Sequence, residues 1–188
     1  MKTSTQIVTT NTDNNGDGIT DSRDSSTNTY DQRGNLLTYI SEYDNGGDGT
    51  VDSRQSGTYT YDQSGNLLTL ISEYDHNADG TVDLRDSETN TYDQRGNLLT
   101  GISEGDEGVD GTIDSRNSTT NTYDQSGNLL TSVSVSEPYY DRGGGFYSRY
   151  SSTNTYDQSG NLLTGVSEYD QDGDGTIDSR YSSTNTYD

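Results

Sequence analysis

The chain is built around the segment TNTYDQRGNLLT, which first occurs at residues 27–38. β-Branched residues alternate with polar ones up to Tyr30, which is typical of a β-strand. Residues 31–35 read as a tight turn in which Gly34 supplies the positive φ of a hairpin bulge. Leu36 begins a returning strand. The segment therefore predicts an antiparallel β-hairpin.

The same pattern recurs along the whole chain. Tyr-Asp pairs follow one another at intervals of 31, 31, 31, 33 and 31 residues, starting at Tyr30, Tyr61, Tyr92, Tyr123, Tyr156 and Tyr187. The two extra residues lie in the fifth unit, near Val135-Ser136. Six periods of 31 with this insertion account for all 188 residues. Because each repeat offers two strands, we predict a single array over residues 1–188 with about twelve strands.

The composition excludes a thick globular core. Hydrophobic residues make up 24% of the chain, against ~45–50% in ordinary domains when glycine is counted. No segment has an apolar stripe with the period of a helix, so helices are not expected. We therefore predict an all-β fold, a repetitive antiparallel β-hairpin ribbon or meander, with a β-solenoid as the alternative.

The charge and the residue types restrict the function. A formal net charge of −22 disfavours nucleic acid and anionic membranes and favours cations. No apolar run is long enough to span a bilayer, so membrane insertion is not expected. There is no cysteine and His76 is the single histidine, which leaves neither thiol catalysis nor a histidine pair. We therefore do not expect an enzyme.

The returning strand has one position that is always apolar, occupied by Ile40, Ile71, Ile102, Val133 and Val166. The position before it varies freely and holds Tyr39, Leu70, Gly101, Ser132 and Gly165. Neighbouring residues of a strand point to opposite faces of the sheet. The pattern therefore predicts that the variable row is the exposed one.

Acidic loops with the pattern Asp-x-Asx-x-Asp-Gly-x-x-Asp follow the returning strands. Complete copies begin at Asp13 and Asp170, and two copies have Gly46 or Gly108 at the third place. Ca²⁺ takes 6–8 oxygen ligands, and carboxylates at places 1, 3, 5 and 9 of a short loop can converge on one ion. The sequence predicts about five Ca²⁺ ions on Asp13, Asn15, Asp17, Asp21, Asp44, Asp48, Asp52, Asp75, Asn77, Asp79, Asp83, Asp106, Asp110, Asp114, Asp170, Asp172, Asp174 and Asp178.

Bare turns are the alternative for these loops, because Asp, Asn and Gly suit turns in any case. Three facing carboxylates without a cation would repel one another, which favours calcium. The loops are not EF-hands, since no helices flank them and place 12 never carries the bidentate Glu. They resemble the calcium loops in the hairpins of FG-GAP and integrin propeller blades.

The fifth loop departs from the pattern. Residues 137–146 keep one aspartate, Asp141, and gain Arg142. We expect no calcium in this loop. Its tyrosines would suit a contact point for a partner. The alternative is that the sequence of a dispensable repeat has drifted.

The repeat itself resembles the YD repeat of Rhs proteins, Tc-toxin shells and teneurins. The matching residues are Tyr30, Asp31, Gly34, Asn35 and Leu36 with their equivalents in four further repeats. The resemblance implies an extracellular or cell-surface protein whose repeats form long antiparallel hairpin ribbons. The repeats here are longer by the acidic loop, and six of them are too few to enclose a toxin.

We consider three functions. The first is a calcium-stabilised extracellular fibre or scaffold, in which the open strand at residues 6–12 of one copy pairs head-to-tail with the strand at residues 182–187 of the next. A fragment of a larger adhesin explains the same ends, and Tyr39, Tyr59 and the tyrosines of residues 139–150 would then bind a glycan or a surface protein. Ice binding through the Thr-x-Thr rows is disfavoured because a meander separates these rows by ~9.6 Å.

Overall fold

The computed structural model describes residues 3–137 and 147–187. Within them it contains twelve β-strands and no helix. The strands are β1 (Ser4–Thr12), β2 (Ser22–Tyr30), β3 (Leu36–Asp44), β4 (Ser53–Tyr61), β5 (Leu67–Asp75), β6 (Leu84–Tyr92), β7 (Leu98–Glu107), β8 (Ser115–Tyr123), β9 (Leu129–Glu137), β10 (Ser148–Tyr156), β11 (Leu162–Asp170) and β12 (Ser179–Thr184).

The strands form one sheet whose order follows the sequence from β1 to β12. This confirms the all-β antiparallel meander, and the solenoid alternative is not what the strands adopt. The last strand begins earlier than predicted, at Ser179, and ends at Thr184. The amide of Asn185 still donates a hydrogen bond of 2.8 Å to the Leu163 carbonyl, so pairing continues just past the strand.

The Tyr-Asp turns follow from one aspartate and one glycine. In the second complete hairpin, Asp62 accepts hydrogen bonds of 2.8 Å from the amides of Ser64 and Asn66. The side-chain amide of Asn66 donates a third bond of 2.9 Å, and Gly65 takes the predicted positive φ, at 92°. The strand register shifts between Thr60 and Tyr61, which is the predicted bulge. The turns at residues 31–35, 93–97, 124–128 and 157–161 repeat these bonds.

The sheet has no conventional core. No apolar residue of the described chain is buried, and Ile71 is 44% exposed. The buried strand residues include Asn121, which is paired with Ser132 of the variable row. The prediction that the variable row is the exposed one is therefore wrong. Gly101 and Gly165 in this row have no side chain, and the side-chain oxygens of Asn90 and Asn154 on the adjoining strands lie close to them.

The opposite face carries paired polar side chains. Threonine hydroxyls face each other at 2.6 Å in the pairs Thr60–Thr69, Thr91–Thr100, Thr122–Thr131 and Thr155–Thr164. Glutamate–arginine ion pairs join adjacent strands near the acidic loops, and the shortest joins Glu73 to Arg85 at 2.6 Å. Polar cross-strand pairs of this kind stabilise a sheet by fractions of a kcal/mol each.

Contacts divide the chain into two compact units. The first comprises residues 1–87 with 105–112, and the second comprises residues 88–104 with 113–188. Each unit contains the same hairpin repeat with its two kinds of turn. In the described ranges, no helix has the length and apolar character needed to cross a membrane.

Candidate metal loops

Four of the acidic loops are closed by a hydrogen bond at the end of the sheet that they leave. The amide at place 9 donates to the carbonyl of the residue before place 1, as in the bond of 2.7 Å from Asp52 to Tyr43. Equivalent bonds of 2.7–2.8 Å are made by Asp21, Asp83 and Asp178. The β-ladder thus brings the two ends of the nine-residue loop together.

The aspartate at place 1 organises the loop backbone. Asp170 accepts hydrogen bonds of 2.7 Å from the Gly173 amide and 3.0 Å from the Gly175 amide, one on each carboxylate oxygen. The other four place-1 carboxylates accept loop amides in the same way. At Asp13 the amides of Gly18 and Gly16 lower the pKa of the carboxyl group, because they stabilise its charged form.

The aspartate at place 5 caps the second half of the loop. Asp48, Asp79 and Asp110 each accept a hydrogen bond of 2.8 Å from the amide two residues later. These bonds from Thr50, Thr81 and Thr112 are the main reason that the pKa of each carboxyl group is lowered. The loop amides therefore favour the charged form of these three carboxyl groups.

The aspartate at place 9 reaches back across the loop. Asp21, Asp52, Asp83 and Asp178 each accept a hydrogen bond of 2.6–2.8 Å from the amide at place 2. His76 occupies place 2 of its loop, and its ring nitrogen lies 3.7 Å from the Asp83 carboxylate. Asp114 is the place-9 aspartate of the fourth described loop.

The carboxylates come closest together in the last loop. One oxygen from each of Asp170, Asp172 and Asp174 lies within 4.8 Å of the others. No other group of three acidic or histidine side chains is this close in residues 3–137 and 147–187. The loops differ in sequence at the third place, which holds Asp172 here, Asn15 or Asn77 in two loops, and Gly46 or Gly108 in two more.

Burial of the place-1 aspartates was not predicted from the sequence. Asp44, Asp75, Asp106 and Asp170 are exposed by only 5–8%. Asp13, which follows the edge strand β1, is exposed. All five loops have aspartate at places 1, 5 and 9, so position in the sheet rather than these shared residues makes the difference.

Consecutive loops also touch one another, which the spacing of the motif did not reveal. Gly47 at place 4 of the second loop lies so close to Thr20 of the first that an added Cβ would overlap the Thr20 carbonyl. The amide of Gly108 donates a hydrogen bond of 2.7 Å to the carbonyl of Asp83 in the preceding loop. In the last loop, a Cβ at Gly173 would overlap Tyr147.

Of the tyrosines predicted to bind a partner, some lie in the described part of the chain and others do not. The ring centroids of Tyr39 and Tyr59 lie 6.1 Å apart, and the Gln55 side chain donates a hydrogen bond of 2.6 Å to the Tyr39 hydroxyl. Burial and the neighbouring tyrosines raise the pKa of Tyr59. Tyr59 also lines a groove of about 500 Å³ together with Tyr61, Leu37 and residues of the adjoining turns. The fifth loop lies outside the described residues between 138 and 146, as do Asp141 and Arg142.

Comparisons with known proteins assign no family. No family model matches the chain, and no curated protein does. A solved structure titled "Crystal Structure of TcdB2-TccC3-Cdc42" matches 94% of this chain with 15% sequence identity and a TM-score of 0.47. The chain spans about 10% of the length of the chain it matches. The similarity therefore covers one small part of a much larger molecule. The repeat architecture is inferred from the sequence and from the sheet described above.

Proposed function

We propose that the acidic loops bind Ca²⁺ and that the protein is a calcium-stabilised extracellular repeat protein. The convergence of Asp170, Asp172 and Asp174 carries the proposal. Oxygens that bind one Ca²⁺ at ~2.3–2.6 Å lie at most ~5 Å apart, and the separation of up to 4.8 Å in this loop fits that limit. An ion would replace the mutual repulsion of these three carboxylates with attraction.

Calcium would also supply the stability that the sheet lacks. No described apolar residue is buried, and the net charge of −22 opposes compaction. Five Ca²⁺ ions would bring ten positive charges and leave a formal charge of −12. Because a site of this kind forms with the fold, ion binding and folding would be coupled. Extracellular calcium modules bind at ~10⁻⁴–10⁻³ M. We propose the same range for these loops and a location at the cell surface or outside the cell.

Calorimetric Ca²⁺ titration tests this proposal. We expect about five ions per chain and a higher melting temperature with Ca²⁺ than with a chelator. Asp174→Asn should remove one ion from the stoichiometry. Asp24→Asn, which changes the charge equally at an exposed position of β2, should remove none. Equal stoichiometry in the two variants, or no binding by the native chain, would reject calcium.

Head-to-tail self-association is the proposed route to a fibre. In this chain β1 and β12 each have a strand neighbour on one side, and unpaired strand edges are templates for strand addition. Ile7 and Val8 of β1 are 70% and 44% exposed. Pairing of β12 of one copy with β1 of the next would cover these apolar side chains.

Electron microscopy and sedimentation with and without Ca²⁺ test the fibre. Ile7→Lys should block assembly, because a lysine on an edge strand opposes pairing. Ile71→Lys introduces the same charge at a 44% exposed position of an internal strand and should leave assembly intact. Monomers in every condition would reject the fibre and leave calcium binding standing.

A glycan-binding adhesin is the second candidate, favoured by the groove at Tyr59. Tyrosine rings there offer flat apolar faces, and Arg33 and Gln63, which also line the groove, offer hydrogen-bonding groups. The negative net charge favours a neutral saccharide over an acidic one. Chemical shifts of the chain titrated with neutral gluco- and chito-oligosaccharides test this candidate. Tyr59→Ala should abolish the shifts, whereas Tyr43→Ala, outside the groove, should preserve them; equal effects would reject the groove.

A further inference from the structure

Tyr150 and Tyr169 form the closest aromatic pair in the described part of the chain. They lie directly opposite each other on β10 and β11. Their ring centroids are 4.9 Å apart and the ring planes are inclined by 52°. The Tyr150 hydroxyl lies 3.1 Å from the Ser167 hydroxyl, which holds its ring beside β11. Tyr169 is 44% exposed, so its ring is open to the solvent.

The pair is peculiar to this hairpin. The same two strand positions in other hairpins are occupied by Asp24 and Tyr43, Gln55 and Tyr74, and Asn117 and Ser136. Other tyrosine pairs are wider, with centroids at 6.1 Å for Tyr39–Tyr59 and 6.4 Å for Tyr59–Tyr61. One hairpin therefore combines proximity, cross-strand placement and exposure.

We propose that Tyr150 and Tyr169 are an oxidative cross-linking site that forms dityrosine. The oxidant is hydrogen peroxide acting through a haem peroxidase. Each phenol loses its hydroxyl hydrogen atom, and the two radicals couple through ring carbons next to the hydroxyl-bearing carbons. The hydrogen on each coupled carbon then moves to the oxygen, which restores both phenols. The protein loses two hydrogen atoms, and one peroxide is reduced to two waters.

Such a link has a structural purpose in this chain. The sequence has no cysteine, so no disulfide can join neighbouring strands. The described strands bury no apolar side chain that would hold them together instead. A biaryl bond from β10 to β11 would constrain the unfolded chain as a disulfide does. It acts on the strand ladder through Tyr150 and Tyr169, neither of which is a proposed calcium ligand.

Peroxidase treatment of the dilute full chain tests the proposal. We expect dityrosine fluorescence from a monomer that has lost two hydrogen atoms. Cleavage after Arg149, Glu168 and Arg180 separates the two tyrosines in sequence and should leave their peptides joined. Tyr169→Phe, which keeps the ring but has no phenolic hydrogen, should abolish the link. Tyr74→Phe should not.

A transferred pair provides an independent test. Asp24→Tyr places a second tyrosine opposite Tyr43, which is 37% exposed. This variant should gain a second linked peptide pair, and it should do so even in the Tyr169→Phe background. A link from Tyr169 to Tyr181 instead, links between chains only, or oxidation without any link between Tyr150 and Tyr169 would overturn the assignment.

Discussion

Tyr123 donates a hydrogen bond of 3.0 Å from its hydroxyl to the carbonyl oxygen of Leu98, which opens the returning strand of the preceding repeat. The Asn121 side chain donates a second bond of 3.0 Å to the same oxygen. The Leu129 carbonyl receives the equivalent pair from Asn154 and Tyr156. The tyrosine of the Tyr-Asp motif thus joins consecutive repeats, whereas the aspartate shapes its own turn.

The first prediction compares two such tyrosines. The Leu36 carbonyl accepts a side-chain bond from Tyr61, and the asparagine position is taken there by Tyr59. Tyr61→Phe should therefore cost about 0.5–1.5 kcal/mol of unfolding free energy, the worth of an ordinary hydrogen bond. Tyr123→Phe should cost less, because Asn121 still satisfies the Leu98 carbonyl. Urea denaturation measures both, and equal costs would contradict the shared-acceptor explanation.

The second prediction concerns contact between neighbouring acidic loops. Gly47 and Gly16 occupy the same place in their loops, with φ of 62° and 75°. Alanine at either position costs about 1–2 kcal/mol for its left-handed backbone. Only Gly47→Ala also displaces the first loop, since nothing lies within 4 Å of a Cβ at Gly16. Backbone strain alone should accelerate amide exchange in the mutated loop, residues 44–52. Gly47→Ala should in addition accelerate amide exchange in residues 13–21. Exchange confined to the mutated loop would exclude this coupling.

The third prediction concerns the ion pairs beside the loops. Glu73 and Arg85 are 2.6 Å apart, but their side chains are 34% and 44% exposed. Glu73→Gln should therefore cost no more than about 1 kcal/mol, and the loss should shrink in high salt. Glu42→Gln removes a pair that is 3.8 Å apart and should cost less. A salt-independent loss at Glu73 would point to packing of its hydrocarbon stem instead.

The hairpin could be predicted from sequence because its determinants are local. Asp62, Gly65 and Asn66 make the turn with bonds inside five residues, and the period of the motif gives the strand count. The burial of Asn121 could not be predicted in this way, because it depends on Ser132 and Leu98 in two other strands. Hydrophobicity patterns assume an apolar interior, and this sheet has none among its described residues.

The acidic loops likewise combine features that the sequence predicts with features that it does not. The motif identifies the residues that bond within one loop, such as Asp170 with Gly175. Contacts between loops, such as Gly47 against Thr20, require the sheet to set consecutive loops side by side. One feature of the sequence does indicate the contacts between loops. Place 4 holds glycine in some loops and Ala78 or Val109 in others, so space at this place differs between loops that otherwise share a motif.

The last prediction follows from the pKa of the turn aspartates. The side-chain amide of Asn66, followed by its backbone amide, lowers the pKa of Asp62 below its usual value. A lowered native pKa contributes stability above the unfolded pKa of ~3.9, and this contribution is lost as the pH falls through the native pKa. Asn66→Ala should raise the pKa of Asp62 towards the ordinary value, as measured by NMR titration.

The pH dependence of that variant supplies the decisive comparison. Asn66→Ala should be less stable than the native chain at neutral pH. The difference should narrow below about pH 4, where Asp62 takes up its proton in the unfolded chain first and in the native chain only at lower pH. Ser64→Ala is the control, because the backbone amide of Ser64 makes its bond to Asp62 whatever the side chain. Ser64→Ala should leave the pKa of Asp62 lowered, and its difference in stability from the native chain should not change with pH. A difference that stays constant for Asn66→Ala as well would mean that the asparagine stabilises the turn without acting on the charge of Asp62.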